Sequence, residues 1–313
     1  MRINFYGLLH LEEGEHSAIN VPVIGFCDQI TLYLDCAINL SNSLRARGIE
    51  FTLLTNKKDV LEEILQSEKK NLQVKEIPFT TRVPHGTKFY SGHFKLDAFR
   101  YFSTLNEGYV GLCDLDMVCI NDFPQCFSNN ILQKIPMCYD ISDQVIPAYG
   151  HEVIIRDLGL IEGLESEGRW SGGEFISGTP EFFLTLAKKI DNLYENYINN
   201  LEKFHHNGDE AFVSAALETM RKNGTYIADA GTLGIVGRFW SGRTLHLQKP
   251  FKYFQHCFLL HLPADKRFLA EMSAREPIME SSKFAQAYIQ YRNSPITKFN
   301  RLIGHISKMK KGK

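Results

Sequence analysis

The chain lacks any apolar run long enough to cross a bilayer as a helix. It also lacks an excess of charge of either sign. Lys and Arg number 35 against 36 Asp and Glu, a formal net charge of -1, which removes bulk electrostatics as a reason to bind nucleic acid. Its 7 cysteines, an odd number, contain no Cys-x-x-Cys; they read as reduced, mostly buried thiols of a cytosolic protein, not as a zinc site. The opening Met1-Arg2-Ile3-Asn4-Phe5-Tyr6 has no charged-then-apolar layout of a signal peptide. Repeats and low-complexity tracts are missing too. What is present is 313 residues with 44% hydrophobic content, enough for one large core or two smaller ones.

Short apolar runs alternate with amphipathic stripes through the first half. Val21-Pro22-Val23-Ile24-Gly25-Phe26-Cys27 reads as a buried strand. Leu34, Ala37, Ile38, Ser41 and Leu44 follow at helical spacing, and Gly48 suits a helix stop. Phe51 to Leu54 is the next strand, Val60 to Gln66 a helix, Leu72 to Ile77 a strand, and about His93 to Leu105 a helix striped by Phe94, Ala98, Phe102 and Leu105. This order predicts an α/β fold with a mixed, mostly parallel sheet covered by helices on both faces. Arg2 to Leu9 is either an extra strand or a separate arm. Met137-Cys138-Tyr139 reads as a strand, and the turn-rich, charged segment 140–170 as an insertion over the sheet's carboxyl edge. Glu174-Phe175-Ile176 is a short strand, Pro180 opens a long helix, another helix runs from about Asp209 to Arg221, and Phe258 to Leu262 is the last strand. We divide the chain into a main domain, 1–267, and a helical, basic tail, 268–313. In that tail Phe299, Leu302, Ile303 and Ile306 share a helical face beside Lys298, Arg301, Lys308, Lys310, Lys311 and Lys313. The segment 296–313 is either an amphipathic anchor on an anionic membrane or a packed helix with a frayed basic end.

The only Asp-x-Asp, Asp114-Leu115-Asp116, interrupts the apolar run Tyr109 to Val118. On extended backbone, side chains two apart face the same way. The run is expected to deliver both carboxylates to a strand's carboxyl end, where open α/β sheets bind ligands. Adjacent buried carboxylates need a cation or a proton between them, and Mg²⁺ or Mn²⁺ holding phosphate oxygens supplies one. His261, ending an apolar strand, offers a third ligand, and Lys266 a neutraliser of phosphate charge. Asp209 suits a helix N-cap and Glu210 the first turn of the same helix. His205 and His206 read as an exposed loop. The glycines of Ser171-Gly172-Gly173-Glu174 let backbone approach a ligand closely, and Lys95 opens the helix that precedes the Asp-x-Asp run.

In this order the pieces resemble a GT-A-fold glycosyltransferase, most nearly the family of glycogenin and bacterial lipopolysaccharide galactosyltransferases. That family's basic residue and Leu on a helix are matched by Lys95-Leu96, its Asp-x-Asp by Asp114-Leu115-Asp116, its small-residue strand by Glu174 to Glu181, its Asp-Gln by Asp209-Glu210, and its late metal-binding His with a following Lys by His261 and Lys266. The likeness spans about Val21 to Lys266. Departures are the Glu at 210, Pro263-Ala264-Asp265-Lys266-Arg267-Phe268 in place of the family's Gly and Lys-Pro-Trp after the late His, and the extra segment before Val21.

The resemblance implies a metal-dependent transfer of sugar from a nucleotide-sugar, a UDP-sugar, to a glycan or lipid-linked glycan in cell-surface polysaccharide or lipopolysaccharide synthesis. Asp114, Asp116 and His261 then hold Mn²⁺ or Mg²⁺. Asp28, Tyr33, Lys95, Asp114 and Lys266 contact the nucleotide-sugar, with the first βα loop near Phe26-Cys27-Asp28 and Tyr33 receiving the base. Glu174, Asp209 and Glu210 face the sugar and the acceptor hydroxyl, Glu210 either as a general base or as a positioning group. Two rivals stand beside it: a haloacid-dehalogenase-type phosphatase with Asp114 as nucleophile, and a binding protein for carbohydrate or nucleotide-sugar without turnover.

Overall fold

The apolar runs and stripes fold, in a computed structural model that describes residues 3–13, 25–163, 165–242, 244–295 and 297, into an alternation of strands and helices. In chain order these are β1 (Ile3–Leu9), α1 (Phe26–Arg45), β2 (Phe51–Thr55), α2 (Lys58–Ser67), β3 (Gln73–Glu76), α3 (Lys95–Ser103) and β4 (Tyr109–Cys113). There follow β5 (Met117–Cys119), α4 (Gln125–Leu132), β6 (Met137–Asp140), α5 (Ser142–Tyr149), α6 (His151–Glu162), β7 (Ser171–Gly178) and α7 (Pro180–Asn199). The last are α8 (Asp209–Lys222), β8 (Ala228–Asp229), β9 (Val236–Arg238), β10 (Leu259–His261), α9 (Lys266–Met272) and α10 (Ser281–Asn293).

The main sheet has the order β3-β2-β1-β4-β7-β6-β8, parallel except where β7 runs against β4 and β6. Every residue of β2 and β4 is buried, so both faces of the sheet are covered, as the unbroken apolar runs predict. A second sheet, β5-β10-β9, is attached through β5. Phe127 joins the two: its ring lies 6.2 Å from Phe5, 6.1 Å from Phe175 and 6.2 Å from Phe258. The chain steps from β1 outward to β2 and β3, then returns to place β4 on the other side of β1. That reversal opens a crevice at the carboxyl ends of β1 and β4.

Several local expectations hold. Leu34, Ala37, Ile38, Ser41 and Leu44 are the buried stripe of α1, and Gly48 leaves the helix at φ +71°, a conformation glycine adopts without strain. Pro180 sits at the start of α7, where Thr179 accepts a hydrogen bond from the Phe182 amide.

Others are corrected. Phe26 and Cys27 open α1 and are not strand residues, while residues 21–24 of that expected strand lie outside the described residues. The first strand is β1, the segment left open as strand or arm, and it is central, with Phe5 fully buried between β2 and β4. The run from Tyr109 to Val118 is not one strand. It breaks after Cys113, turns through Asp114 to Asp116, and resumes as β5 in the other sheet. Segment 140–170 is largely helical: Ile154, Leu158 and Ile161 form a buried stripe on α6 that the surrounding charges and turns obscure. Apart from Thr297, the basic segment 296–313 lies outside the described residues. Upstream of it, Phe268, Phe284 and Tyr288 pack together, and the Tyr288 hydroxyl donates to Asp265.

One glycine ties the sheet to the turn. A Cβ at Gly7, in the middle of β1, would lie 2.4 Å from Leu115 Cδ2 and 2.8 Å from Phe51 Cζ. Gly7→Ala is therefore expected to destabilise the fold by about 1–3 kcal/mol through overpacking, measured as a lowered midpoint in urea unfolding; an unchanged midpoint would show that the Asp-x-Asp turn does not press on β1.

Candidate active site

Three hydrogen-bond ladders meet at the turn after β4. The Asp114 amide donates to the Glu174 carbonyl at 3.0 Å, extending the antiparallel β4–β7 ladder by one step and setting the two residues side by side. The Leu262 amide donates to the Asp116 carbonyl at 3.0 Å, and β10 pairs His261 with Met117. In the parallel β9–β10 ladder His261 is registered with Arg238. The turn thus brings together carboxylates that strand alternation was expected to align.

The ligand atoms of Asp114, Asp116 and His261 all lie within 4.8 Å of one another, and among the described residues no other group of three such side chains does so. Two carboxylate oxygens and an imidazole nitrogen suit Mn²⁺, and the oxygens suit Mg²⁺. The donor set therefore fits the divalent cation that the sequence implies.

Each charge here has a partner. Lys95 Nζ lies 2.8 Å from both Asp114 Oδ1 and Asp209 Oδ2, and donates to the Gly173 carbonyl at 2.7 Å. Lys266 Nζ donates to Asp116 Oδ2 and to the Pro263 carbonyl. His261 bridges Asp116 Oδ1 at 3.2 Å and Glu174 Oε1 at 3.4 Å. Arg238 lies 3.5 Å from Glu174 Oε1 and 3.6 Å from Glu210 Oε1. Glu210 also accepts the Trp170 indole N–H at 2.9 Å and the Gly173 amide at 3.4 Å.

These pairings set the protonation states. Burial raises the Asp114 carboxyl to about 6, against the opposing pull of Lys95. Burial pushes Asp116 the same way, but Lys266 and His261 outweigh it and hold that carboxyl far below the usual range. Burial acts to lower His261, yet Asp116 and Glu174 carry it up to about 9, so the metal-free imidazole is protonated and must release that proton to ligate. Glu174 is lowered to about 2: burial opposes its ionisation, and Arg238 and His261 overcome it. Glu210 is lowered too, burial being outweighed by His206 and Arg238.

The glycines around Glu174 do make room, though for side chains of the chain itself. A Cβ at Gly173 would sit 2.3 Å from Asp209 Oδ2, one at Gly172 2.2 Å from Glu174 Oε2, and one at Gly92 2.6 Å from Asp209 Oδ1. Asp209 does not cap α8. Gly208 is the N-cap, and the Asp209 carboxylate turns to Lys95 instead.

All of this lines a cavity of about 410 Å³ at the crevice between β1 and β4. Tyr33, Lys95, Asp114, Asp116, Glu174, Asp209, Glu210, His261 and Lys266 border it; Asp28 does not, and pairs with Arg267 at 3.4 Å. Phe26 to Tyr33 belong to α1 and not to a βα loop, so this end of the cavity is formed by Leu8, Leu9 and His10 of the β1 terminus with Gln29 and Tyr33 of α1. His205 and His206 are not an exposed loop. Both border the cavity, and His205 Nδ1 contacts Asp157 Oδ2 at 2.7 Å. Arg238, Trp170, Trp240 and His246 also border it and escape sequence reasoning. Arg238 follows only Val236-Gly237 on a very short strand, and an Arg in such a setting gives no signal.

No protein-family model matches the chain, and no curated protein does. Among solved structures it is similar to an active-site mutant of LgtC, at 11% identity over 91% of this chain and 95% of that one, with a TM-score of 0.47. It is also similar to a Desulfovibrio desulfuricans G20 protein described as a nucleotide-diphospho-sugar transferase, at 12% identity over 73% and 80%, with a TM-score of 0.41.

Arg238 is 3% exposed and is the guanidinium shared by two glutamates. Arg238→Met leaves both without it, a loss expected to cost about 3–5 kcal/mol, because removing one partner strands buried charge. Chemical denaturation checks this, and Arg238→Lys should recover part of the loss. A methionine variant as stable as the parent would show that the glutamates do not depend on Arg238.

Proposed function

We propose that the chain transfers a sugar from a nucleotide-sugar, a UDP-sugar, to a hydroxyl of a glycan or lipid-linked glycan, with Mn²⁺ or Mg²⁺ as cofactor. The observation that carries this reading is the convergence of Asp114, Asp116 and His261 at the wall of a cavity located where the strand order reverses. The cavity falls in the size range of small-molecule sites, and the lysines, arginine and carboxylates that line it form a connected network of ion pairs around the three candidate metal ligands.

Asp114, Asp116 and His261 would hold the cation, which when bound supplies Lewis-acid stabilisation of the departing diphosphate. Lys266, already on Asp116, and Lys95, already on Asp114, hold fixed positive charge beside that position. His10 and Tyr33 border the end suited to the nucleoside. Glu174, Asp209 and Glu210 face the sugar and the acceptor hydroxyl. A carboxylate held below its usual pKa is a weak base, so the Glu210 environment supports orienting a hydroxyl over removing its proton. Sequence pattern alone supports a cytoplasmic site, a role in cell-surface polysaccharide or lipopolysaccharide synthesis, and contact of segment 296–313 with the membrane. The phosphatase alternative expects its Asp-x-Asp to open the domain, whereas here it follows the fourth strand.

The test is slow hydrolysis of UDP-sugars by the purified chain with Mn²⁺, followed as UDP release. Chelation should abolish it, and Asp114→Asn or Asp116→Asn should each lower it at least about 100-fold while thermal unfolding stays cooperative. UDP-sugars should raise the melting temperature more with Mn²⁺ than without. Turnover unchanged in both variants, or hydrolysis of aryl phosphates with UDP-sugars untouched, would overturn the assignment.

A further inference from the structure

Large apolar side chains exposed singly are ordinary on a protein surface, and Leu132 and Tyr226 are such cases. The strip from Thr244 to Tyr253 is different. Leu245 is 73% exposed, Leu247 62% and Tyr253 64%. The polar residues that alternate with the leucines, His246 and Gln248, turn inward. His246 Nδ1 lies 3.4 Å from Arg238 Nη2. Gln248 accepts from the Trp240 amide at 2.9 Å and donates to the Trp240 carbonyl at 2.8 Å. The Leu247 amide donates to the Gln144 carbonyl at 3.2 Å, and Phe251 is buried. The backbone is thus pinned to the body by its polar side chains while its leucines point out, the reverse of the pattern that water favours.

Charge narrows what covers this strip. Lys249 and Lys252 follow the leucines in sequence and are exposed; among the described residues no carboxylate lies within salt-bridge distance of either, and the Asp143 carboxylate is near enough to Lys249 only to feel its charge. Lys249 Nζ lies 5.9 Å from the centre of the Tyr253 ring. Protein interfaces are depleted in Lys at their centres. Exposed leucines, an exposed tyrosine and lysines outside any close salt bridge together are the composition of a surface that enters the headgroup layer of an anionic bilayer.

We infer that the strip 244–253 docks this chain on an anionic lipid surface. Thr244, Leu245 and His246 also border the cavity, so docking sets the cavity mouth against the headgroups. Resting on the transferase reading, this makes the acceptor a saccharide carried on a lipid.

The experiment is co-sedimentation of the full chain with vesicles of equimolar phosphatidylglycerol and phosphatidylcholine, and with phosphatidylcholine alone. The chain should pellet with the first and not the second. A Leu247→Ser, Lys249→Glu, Lys252→Glu variant should bind the anionic vesicles at least about 30-fold more weakly, with thermal unfolding and vesicle-free UDP-sugar hydrolysis unchanged. A second variant, with Lys308, Lys310, Lys311 and Lys313 replaced by Ser, should retain binding that depends on the strip. The inference is overturned if the unmodified chain ignores anionic vesicles, or if the strip variant binds as tightly as the parent. It is equally overturned if the strip substitutions change only self-association in size-exclusion chromatography, which would make a second copy the occupant. Sedimentation reads docking without turnover, so failure of the transferase reading leaves this result separate.

Discussion

The constraint on which this structure depends is charge balance in a buried place. Asp114, Asp116, Glu174, Asp209 and Glu210 converge on one cavity wall, and Lys95, Lys266, Arg238 and a protonated His261 answer them. Five carboxylates against four cations leave a small negative remainder, and Asp114, raised to about 6 mainly by burial, is where that remainder is felt. Carboxylates this close are tolerated only with cations between them. A divalent ion replacing the His261 proton would bring the wall from a net charge of about -1 to neutral, removing the repulsion that an arriving anion would otherwise meet.

The backbone makes this possible by changing sheets at that point. β4 belongs to the main sheet and β5 to the smaller one, so the three residues between them must turn, and each neighbouring ladder is registered to that turn. Glu174 comes alongside Asp114 from β7, and His261 and Arg238 alongside each other from β10 and β9. Gly172, Gly173 and Gly92 leave the space that the carboxylates fill. Sheet topology, glycine placement and electrostatics are here one arrangement.

Much of this is legible in the sequence, for physical reasons. Asp114, Asp116 and His261 are conspicuous because they interrupt or end apolar runs, and a charge in such a place needs a partner. Lys95, Asp209 and Glu210 are conspicuous because they open helices. The structure gathers all of them at one cavity, while Asp28, expected in a first βα loop that receives the base, stands in the first turn of α1 and pairs with Arg267. Arg238, Trp170 and His246 could not be read, because they sit on short strands or loops whose partners are distant in the chain. The central strand β1 was ambiguous since its polar Asn4 and Gly7 break the apolar run, although Gly7 is there to admit Leu115. The helices of segment 140–170 were hidden by the turn residues between them.

The most direct measurement is an anomalous difference map from a crystal of the full chain grown with Mn²⁺ and UDP. The account predicts one manganese peak coordinated by Asp114, Asp116 and His261, with the diphosphate on its open side and Lys266 beside it. A manganese peak elsewhere, or a bound diphosphate whose charge is met by lysines alone with no metal at those three side chains, would contradict it.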